Sequence, residues 1–145
     1  MSELIRPQRW ETQAGCEAVV AALGLNPVGL LSQDWLCYGN DAERLADFCD
    51  FYDRDDLDDE TRFAIMPLIL DGLEQTMPVA ANDGMCDRVE RYLRDRFIFH
   101  FHTIRYWTLP NDPEETNPEY IFAVTPMVRR VWADCYRPEY AKWLD

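Results

Sequence analysis

The apolar residues of this chain recur mainly at helical spacing. The segment from Asp87 to Trp107, DRVERYLRDRFIFHFHTIRYW, contains neither Gly nor Pro. On a helix turning about 100° per residue, five large apolar side chains of this segment share one face. Glu90 precedes Arg94 by four residues, a spacing that places an ion pair on the outside of a helix. The pattern predicts a central helix near residues 83–108, whose buried face carries Val89, Leu93, Phe97, Phe101 and Ile104.

The N-terminal third of the chain carries signals for the beginnings and ends of helices. Pro7 near the start and Gly24 just past the last apolar residue favour a helix that ends in a left-handed cap. Gly15 lies inside that helix, where the missing side chain would let a neighbouring segment approach closely. The pair Asn26-Pro27 predicts a second, shorter helix that runs to about Tyr38.

Two further helices are predicted between residues 40 and 76. Asn40 with Glu43 resembles a capping box, and the helix that follows would bury Leu45, Phe48 and either Phe51 or Tyr52. Asp58 or Asp59 would begin the next helix. Pro67 lies inside that helix, where proline is expected to kink or break it. Its predicted apolar side consists of Phe63, Met66, Ile69, Leu70 and Leu73.

The last third of the chain predicts an exposed acidic loop and a final helix. The stretch between Leu109 and Glu119 holds three prolines and no large apolar residue, which is typical of a loop. Asn117-Pro118 and Thr125-Pro126 each have the form of a cap followed by the first helical residue. We therefore predict one all-α domain, residues 1–145, a bundle of about six to seven helices. One alternative is open, because residues 98–107 are rich in β-favouring side chains and could form a strand.

Charge is the strongest global feature of the sequence. The 145 residues carry 14 basic and 27 acidic side chains, a net charge of −13. This balance argues against nucleic acid and anionic membranes as ligands, since like charges repel, and it favours a basic protein partner. The five cysteines are odd in number and form no zinc-ligand pair, and the first ten residues lack the apolar core of a signal peptide. We expect a cytoplasmic protein with reduced thiols and no cofactor.

The acidic side chains concentrate between Asp41 and Glu60, where 10 of 20 residues are acidic and 2 are basic. A calcium-binding EF-hand loop is not predicted, because Leu57 and Asp58 would occupy its fifth and sixth positions. A solvated helix end explains part of the accumulation, and an electrostatic docking surface explains the whole of it. Phe51 is one candidate aromatic anchor. The predicted partner-binding residues are Trp35, Asp50, Tyr52, Asp53, Asp55, Asp56, Asp58, Asp59 and Glu60.

His100 and His102 are the only histidines of the chain. On a helix they point about 200° apart, with His100 on the apolar side, so one metal ion could not readily bind both. On a strand they would share a face and could supply two metal ligands. A packed, hydrogen-bonded histidine is the more common fate of such a residue. We therefore predict no metal site, and no spacing singles out catalytic residues.

The leading hypothesis is an acidic, non-enzymatic protein-binding module. In size and acidity the chain resembles bacterial immunity and antitoxin proteins, and this resemblance implies an inhibitor of a basic protein. Complementary charge would speed association and desolvated aromatic anchors would hold the complex. Two alternatives are a small metal-dependent enzyme that uses His100 and His102, and a subunit of a larger assembly whose aromatic residues face a partner. The oligomeric state is undetermined by the sequence.

Overall fold

The computed structural model describes residues 7–25, 42–77 and 84–144. These ranges contain six α-helices and two 3₁₀ segments, with no strand among them. The prediction of an all-α bundle of six to seven helices is confirmed. The predicted helix at 26–38, the Asn40 cap and the anchor Trp35 lie outside the described ranges. The helices are α1 (Gln13–Leu23), α2 (Leu45–Tyr52, entered through the 3₁₀ turn Ala42–Arg44), α3 (Asp59–Thr76), α4 (Met85–Asp95), α5 (Phe101–Trp107) and α6 (Thr125–Cys135), followed by a 3₁₀ tail (Pro138–Trp143).

Helix α3 lies at the centre of the bundle, because α1, α2 and α4 all pack against it. Eleven of its 18 residues are buried, including the whole predicted apolar side. The carboxylate of Asp58 accepts the backbone N–H of Thr61 at 2.8 Å and so caps the helix as predicted. The helix runs through Pro67 without ending, so the predicted break is wrong. Packing on three sides compensates for the hydrogen bond that proline cannot donate.

The predicted single central helix at residues 83–108 is wrong. Helix α4 ends at Asp95, residues 96–100 form consecutive turns, and the chain becomes helical again at Phe101. Because large side chains follow one another in the turn, a straight helix would turn some of them to solvent. The turn instead leaves each of residues 97–100 at least half-buried. All five residues of the predicted apolar face are nevertheless buried, with exposures of 6% or less.

The strand alternative for residues 98–107 is also wrong, because this segment consists of a turn and helix α5. The turn is closed by backbone hydrogen bonds from His100 to Arg96 (3.0 Å) and from Phe101 to Ile98 (3.2 Å). These bonds satisfy polar groups that a buried, irregular segment would otherwise leave unpaired. The aromatic residues of the segment can therefore be buried although no neighbouring strand supplies hydrogen bonds to their backbone.

Helix α1 contains one glycine where it packs closely against α3 and is followed by another that caps it. Its last turn ends at Gly24, which has the left-handed φ of 68° and donates its N–H to Val20 at 2.8 Å, as predicted. At the other end, a Cβ on Gly15 would lie 2.4 Å from the carbonyl oxygen of Glu60. The predicted close approach at Gly15 is confirmed, and the neighbour is the backbone of the first turn of α3.

Helix α6 begins at Thr125, one residue earlier than predicted, so Val124 is the cap and Pro126 is the second helical residue. Glu74 of α3 receives the N–H groups of Ala123 (2.9 Å) and Val124 (3.0 Å) just before this helix. A helix beginning at Asn117-Pro118 is not found. The Asn117 side chain instead accepts the N–H of Glu119 at 3.0 Å and stabilises a turn. Buried apolar residues from all six α-helices join in one contiguous core. None of the described helices is long and apolar enough to cross a membrane.

Candidate partner-binding surface

The predicted partner-binding acids lie on one continuous stretch of chain, residues 50–60, which we call the first acidic region. It comprises the end of α2, a short loop and the first turn of α3. All seven of its acidic residues are exposed. Carboxylates that take part in ion pairs keep much of their surface, with side-chain exposures of 71% for Asp50, 50% for Asp53, 67% for Asp56 and 70% for Asp59.

The loop of the first acidic region is held by one arginine through backbone atoms. Arg62 of α3 donates from Nη1 to the carbonyl oxygen of Tyr52, and from Nη2 to the carbonyl oxygens of Arg54 (3.0 Å) and Leu57 (3.5 Å). Its guanidinium carbon also lies 5.0 Å from the centre of the Tyr52 ring. The loop therefore has a defined course although every acidic side chain on it faces water.

Other arginines partly compensate the negative charge of the first acidic region. Arg88 of α4 binds Asp50 at 2.8 Å and Asp53 at 2.7 Å. Arg96 binds Asp59 at 3.1 Å, and Arg54 binds Asp56 at 2.7 Å. Three arginines, Arg54, Arg88 and Arg96, thus pair with four of the seven carboxylates, so the region keeps a net negative charge.

Two carboxylates of this region have a pKa below the ordinary aspartate value. The hydrogen bond from Arg54 lowers the pKa of Asp56, and the hydrogen bond from Thr61 lowers that of Asp58. Both groups are therefore fully ionised at neutral pH. Asp55 and Glu60 have no ion pair to any described residue and complete the exposed charge.

The two described aromatic anchors predicted for this region are not available to a partner. Tyr52 is 5% exposed and Phe51 is 6% exposed, so both belong to the core. The Tyr52 hydroxyl lies 2.8 Å from Nε2 of His100, and its ring lies 4.4 Å from that of Tyr92. Burial raises the pKa of Tyr52 to about 12, which keeps the hydroxyl protonated. The helical period predicted that either Phe51 or Tyr52 would be buried, and the structure buries both.

His100 is packed and hydrogen-bonded, as predicted. Its side chain is 0% exposed, and Nδ1 has no hydrogen-bond partner among the described residues. Burial, together with the nearby charges of Arg96 and Arg62, lowers its pKa to about 3, so the ring is neutral at physiological pH. His102 is half-buried with its ring edge-on to Phe101. Across the described ranges, no three His, Cys, Asp or Glu side chains come together as metal ligands do. The metal-dependent alternative gains no support from this geometry.

A second acidic region lies on residues 109–120, the loop between α5 and α6. It holds four acidic residues and no basic one. Arg129 of α6 donates to three backbone carbonyls of the connection, those of Thr108 (3.1 Å), Glu115 and Asp112 (2.9 Å). Arg129 therefore binds carbonyl groups and no carboxylate of this loop, and none of the four carboxylates forms an ion pair with any described residue. These acids are Asp112, Glu114, Glu115 and Glu119.

Exposed aromatic side chains accompany the second acidic region. Tyr120 at its end is 66% exposed, and Tyr106 of α5 is 58% exposed. The Tyr106 ring stacks on that of Phe122 at 6.2 Å. Sequence reasoning missed both tyrosines as anchors, because Tyr106 lies in a strongly apolar segment. The exposure of Tyr106 could have been predicted from the helical period, since this residue lies off the buried face formed by Phe101 and Ile104.

Comparison of the chain with models of protein families, with curated proteins and with solved structures finds no match. A functional proposal for this chain has to come from the chemistry of its own surface. The two acidic regions and the two exposed tyrosines are the features of that surface best suited to bind another protein.

Proposed function

We propose that this chain is a non-enzymatic protein-binding module that engages a basic protein partner, in the manner of an immunity or antitoxin-type inhibitor. The observation that carries the proposal is that two acidic loops are each held by an arginine through backbone carbonyls. All but one of their acidic side chains are exposed on these ordered loops; Glu115 is half-buried, and its carboxylate accepts the N–H of Asn117 at 3.0 Å. A preordered loop loses less conformational entropy when a partner binds.

The charge of the two regions suits a partner rich in lysine and arginine. Complementary charge raises the association rate, and the increase is greatest at low salt. The second region supports this role most directly. A lysine or arginine of the partner could bind its carboxylates without first breaking an ion pair to a described residue. In the first region, a partner would have to compete with Arg88 and Arg96 for Asp50 and Asp59.

Aromatic anchors for such a complex are present beside the second region. Tyrosine is enriched at interfaces because it combines a large apolar surface with a polar hydroxyl group. Tyr106 and Tyr120 offer this combination within a strongly acidic surface, where their rings can also stack on an arginine or lysine of the partner. We propose these two residues, in place of Tyr52 and Phe51, as the described anchors of the interface.

The test begins with capture of partners from a lysate of the source cell by tagged protein, at low and at high salt. Association kinetics are then measured with the captured protein. A first variant carries Asp55→Asn, Asp56→Asn, Asp58→Asn and Asp59→Asn. A second carries Asp112→Asn, Glu114→Gln, Glu115→Gln and Glu119→Gln. A control variant with the same loss of charge on other exposed acids carries Glu17→Gln, Asp87→Asn, Asp95→Asn and Glu139→Gln.

We expect the second variant to associate about tenfold more slowly at low salt and with a flatter salt dependence. The first variant should show a smaller slowing, since arginines already offset part of its charge. The control should slow the reaction by about twofold or less, because its four charges belong to neither region. Capture of no partner at either salt, or equal association rates for all four proteins, would contradict the proposal.

A further inference from the structure

A cleft of about 380 Å³ opens between the turn that follows α4 and the end of α6. One wall is formed by residues 94–99, and the other by Asp134, Cys135, Arg137 and Tyr140. This volume falls within the range of roughly 300–1,000 Å³ that is common for small-molecule sites. The cleft lies on parts of the chain that belong to neither acidic region.

Three arginines line this cleft in a protein of net charge −13. Arg94 is fully engaged by carboxylates, since it binds Glu90 at 2.7 Å and Asp134 at 2.9 Å. Arg137 is different. Its Nη1 donates to the backbone carbonyls of Asp134 (3.1 Å) and Tyr136 (3.0 Å), and no described carboxylate lies within ion-pair distance of it. Its Nε and Nη2 groups make no hydrogen bond to any described residue.

Arg96 lines the opposite wall and also has donors to spare. Its guanidinium carbon lies 4.2 Å from the centre of the Phe99 ring, which is a cation–π contact. Its one described ion pair joins Nη2 to the exposed Asp59 at 3.1 Å. The cleft thus contains two guanidinium groups with N–H donors that make no hydrogen bond to a described residue, and paired guanidinium groups recognise planar oxyanions.

The remaining wall residues limit the kind of anion that fits. Phe97, Ile98 and Tyr140 supply an apolar surface, and the rings of Phe97 and Tyr140 lie 6.1 Å apart. Asp95, Asp134 and the C-terminal ends of two helices add negative charge, which disfavours a multiply charged ligand such as phosphate. We propose that this cleft binds a singly charged carboxylate carried on an apolar or aromatic body, between Arg96 and Arg137.

Such a carboxylate could come from a free small acid or from the C-terminal residue of a peptide. Phenylacetate and its neutral counterpart phenylacetamide, and acetyl-Ala-Phe with its C-terminal amide, are titrated into isotope-labelled protein and followed by NMR. We expect the acids to shift the Nε–H signals of Arg96 and Arg137 and to bind at least about tenfold more tightly than the amides. Tighter binding of the peptide acid would indicate a peptide C-terminus, and equal binding of both acids a free small acid.

Variants test whether the two arginines are the recognition groups. Arg137→Gln and Arg96→Gln should each weaken phenylacetate binding by about tenfold, and Arg137→Lys, which keeps charge without the planar fork, should give an intermediate loss. Arg91→Gln is the matched control, because Arg91 is an exposed arginine of α4 that does not line the cleft. A melting curve confirms that each variant is folded.

Equal binding of acid and amide, no saturable binding by either acid, or wild-type binding by both folded Gln variants would overturn this inference. The outcome is independent of the proposed protein-binding function. The variant that neutralises the second acidic region should bind phenylacetate as the wild type does, since its substitutions lie outside the cleft.

Discussion

The two acidic regions are built on the same local device and differ in what surrounds it. In each, one arginine donates to three backbone carbonyls and so holds the loop, Arg62 in the first and Arg129 in the second. The first region also rests on the core, through the α1–α3 contact and the buried Tyr52–His100 pair, and its carboxylates are shared with further arginines. The second region is peripheral, and its carboxylates form no ion pair with the part of the chain that the structure describes. An arginine that binds backbone carbonyls can therefore order a loop without engaging its carboxylates.

The largest effect should come from the helix contact beneath the first region. Gly15→Ala would place a Cβ 2.4 Å from the Glu60 carbonyl oxygen, which is backbone and cannot move aside as a flexible side chain can. We expect α1 and α3 to separate locally and the free energy of unfolding to fall by about 3 kcal/mol in urea titration.

Gly72→Ala is the matched control, since it adds the same methyl group inside α3. Its nearest neighbour would be the Leu45 side chain at 3.4 Å, which has room to adjust. Because alanine is the better helix former, this variant should be neutral or more stable by up to about 1 kcal/mol. Equal destabilisation by the two substitutions would show that the α1–α3 contact is not the constraint inferred from the geometry.

The arginines that hold the two loops provide the next test. Arg62→Gln leaves three carbonyls without their donor and removes the guanidinium from the face of Tyr52. We expect a loss of about 2 kcal/mol in the free energy of unfolding. Arg129→Gln should cost about 1 kcal/mol, because the Asn117 turn and the Glu74 contacts still support the second loop.

Hydrogen exchange separates local from global effects of these two variants. Arg129→Gln should speed exchange mainly within the second region, whereas Arg62→Gln should also speed exchange in α2 and the start of α3. If Arg129→Gln instead loosened the core helices as strongly as Arg62→Gln, the second region would be as much a part of the core as the first.

Most of the scaffold could be predicted from the sequence because local patterns determine it. The apolar faces of α3 and of the 87–107 segment, the Asp58 cap and the Gly24 cap all follow from helical period and capping chemistry. The exposed course of the second acidic loop follows from its prolines and acids. These features depend on neighbours within about four residues.

The features that the sequence did not reveal depend on contacts between distant residues. The turn at residues 96–100 forms because tertiary packing of Phe97, Phe99 and His100 outweighs helical continuity. Arg62 and Arg129 bind backbone carbonyls, which any residue can supply, so no sequence pattern marks them. Tyr52 was predicted at the surface as an anchor, and its burial depends on His100, 48 residues away.

Low pH should lower the free energy of unfolding through His100, which lies beneath the first region and is hydrogen-bonded to Tyr52. In the unfolded chain this imidazole takes up a proton as the pH falls below about 6.5, whereas in the folded protein burial lowers its pKa to about 3. The unfolded state therefore binds more protons between these values. The contribution of neutral His100 to the free energy of unfolding is therefore complete above pH 6.5. It falls as the pH drops toward 3, by up to about 1.4 kcal/mol per pH unit.

His100→Gln, which keeps a group able to hydrogen-bond Tyr52, should remove this share of the pH dependence. Urea titrations at pH 7, 6 and 5 would measure it as the difference in slope between variant and wild type. His102 and the carboxylates are present in both proteins and their contributions cancel to first order. Parallel pH profiles for the two proteins would show that His100 takes up its proton as readily in the folded state as in the unfolded one.

The smallest effects on the free energy of unfolding should come from neutralising single acidic side chains. These variants test whether the charge of each region can be changed without changing its stability. Asp59→Asn removes a surface ion pair with Arg96, and such pairs contribute about 0–1 kcal/mol. Glu119→Gln removes no ion pair with a described residue, so its free energy of unfolding should stay within about 0.5 kcal/mol of the wild type. Added salt should reduce the small difference for Asp59→Asn, because screening weakens the wild-type ion pair. A loss of more than about 2 kcal/mol for Asp59→Asn would instead mean that the compensating arginines of the first region are needed for its fold, and that charge and stability are not separable there.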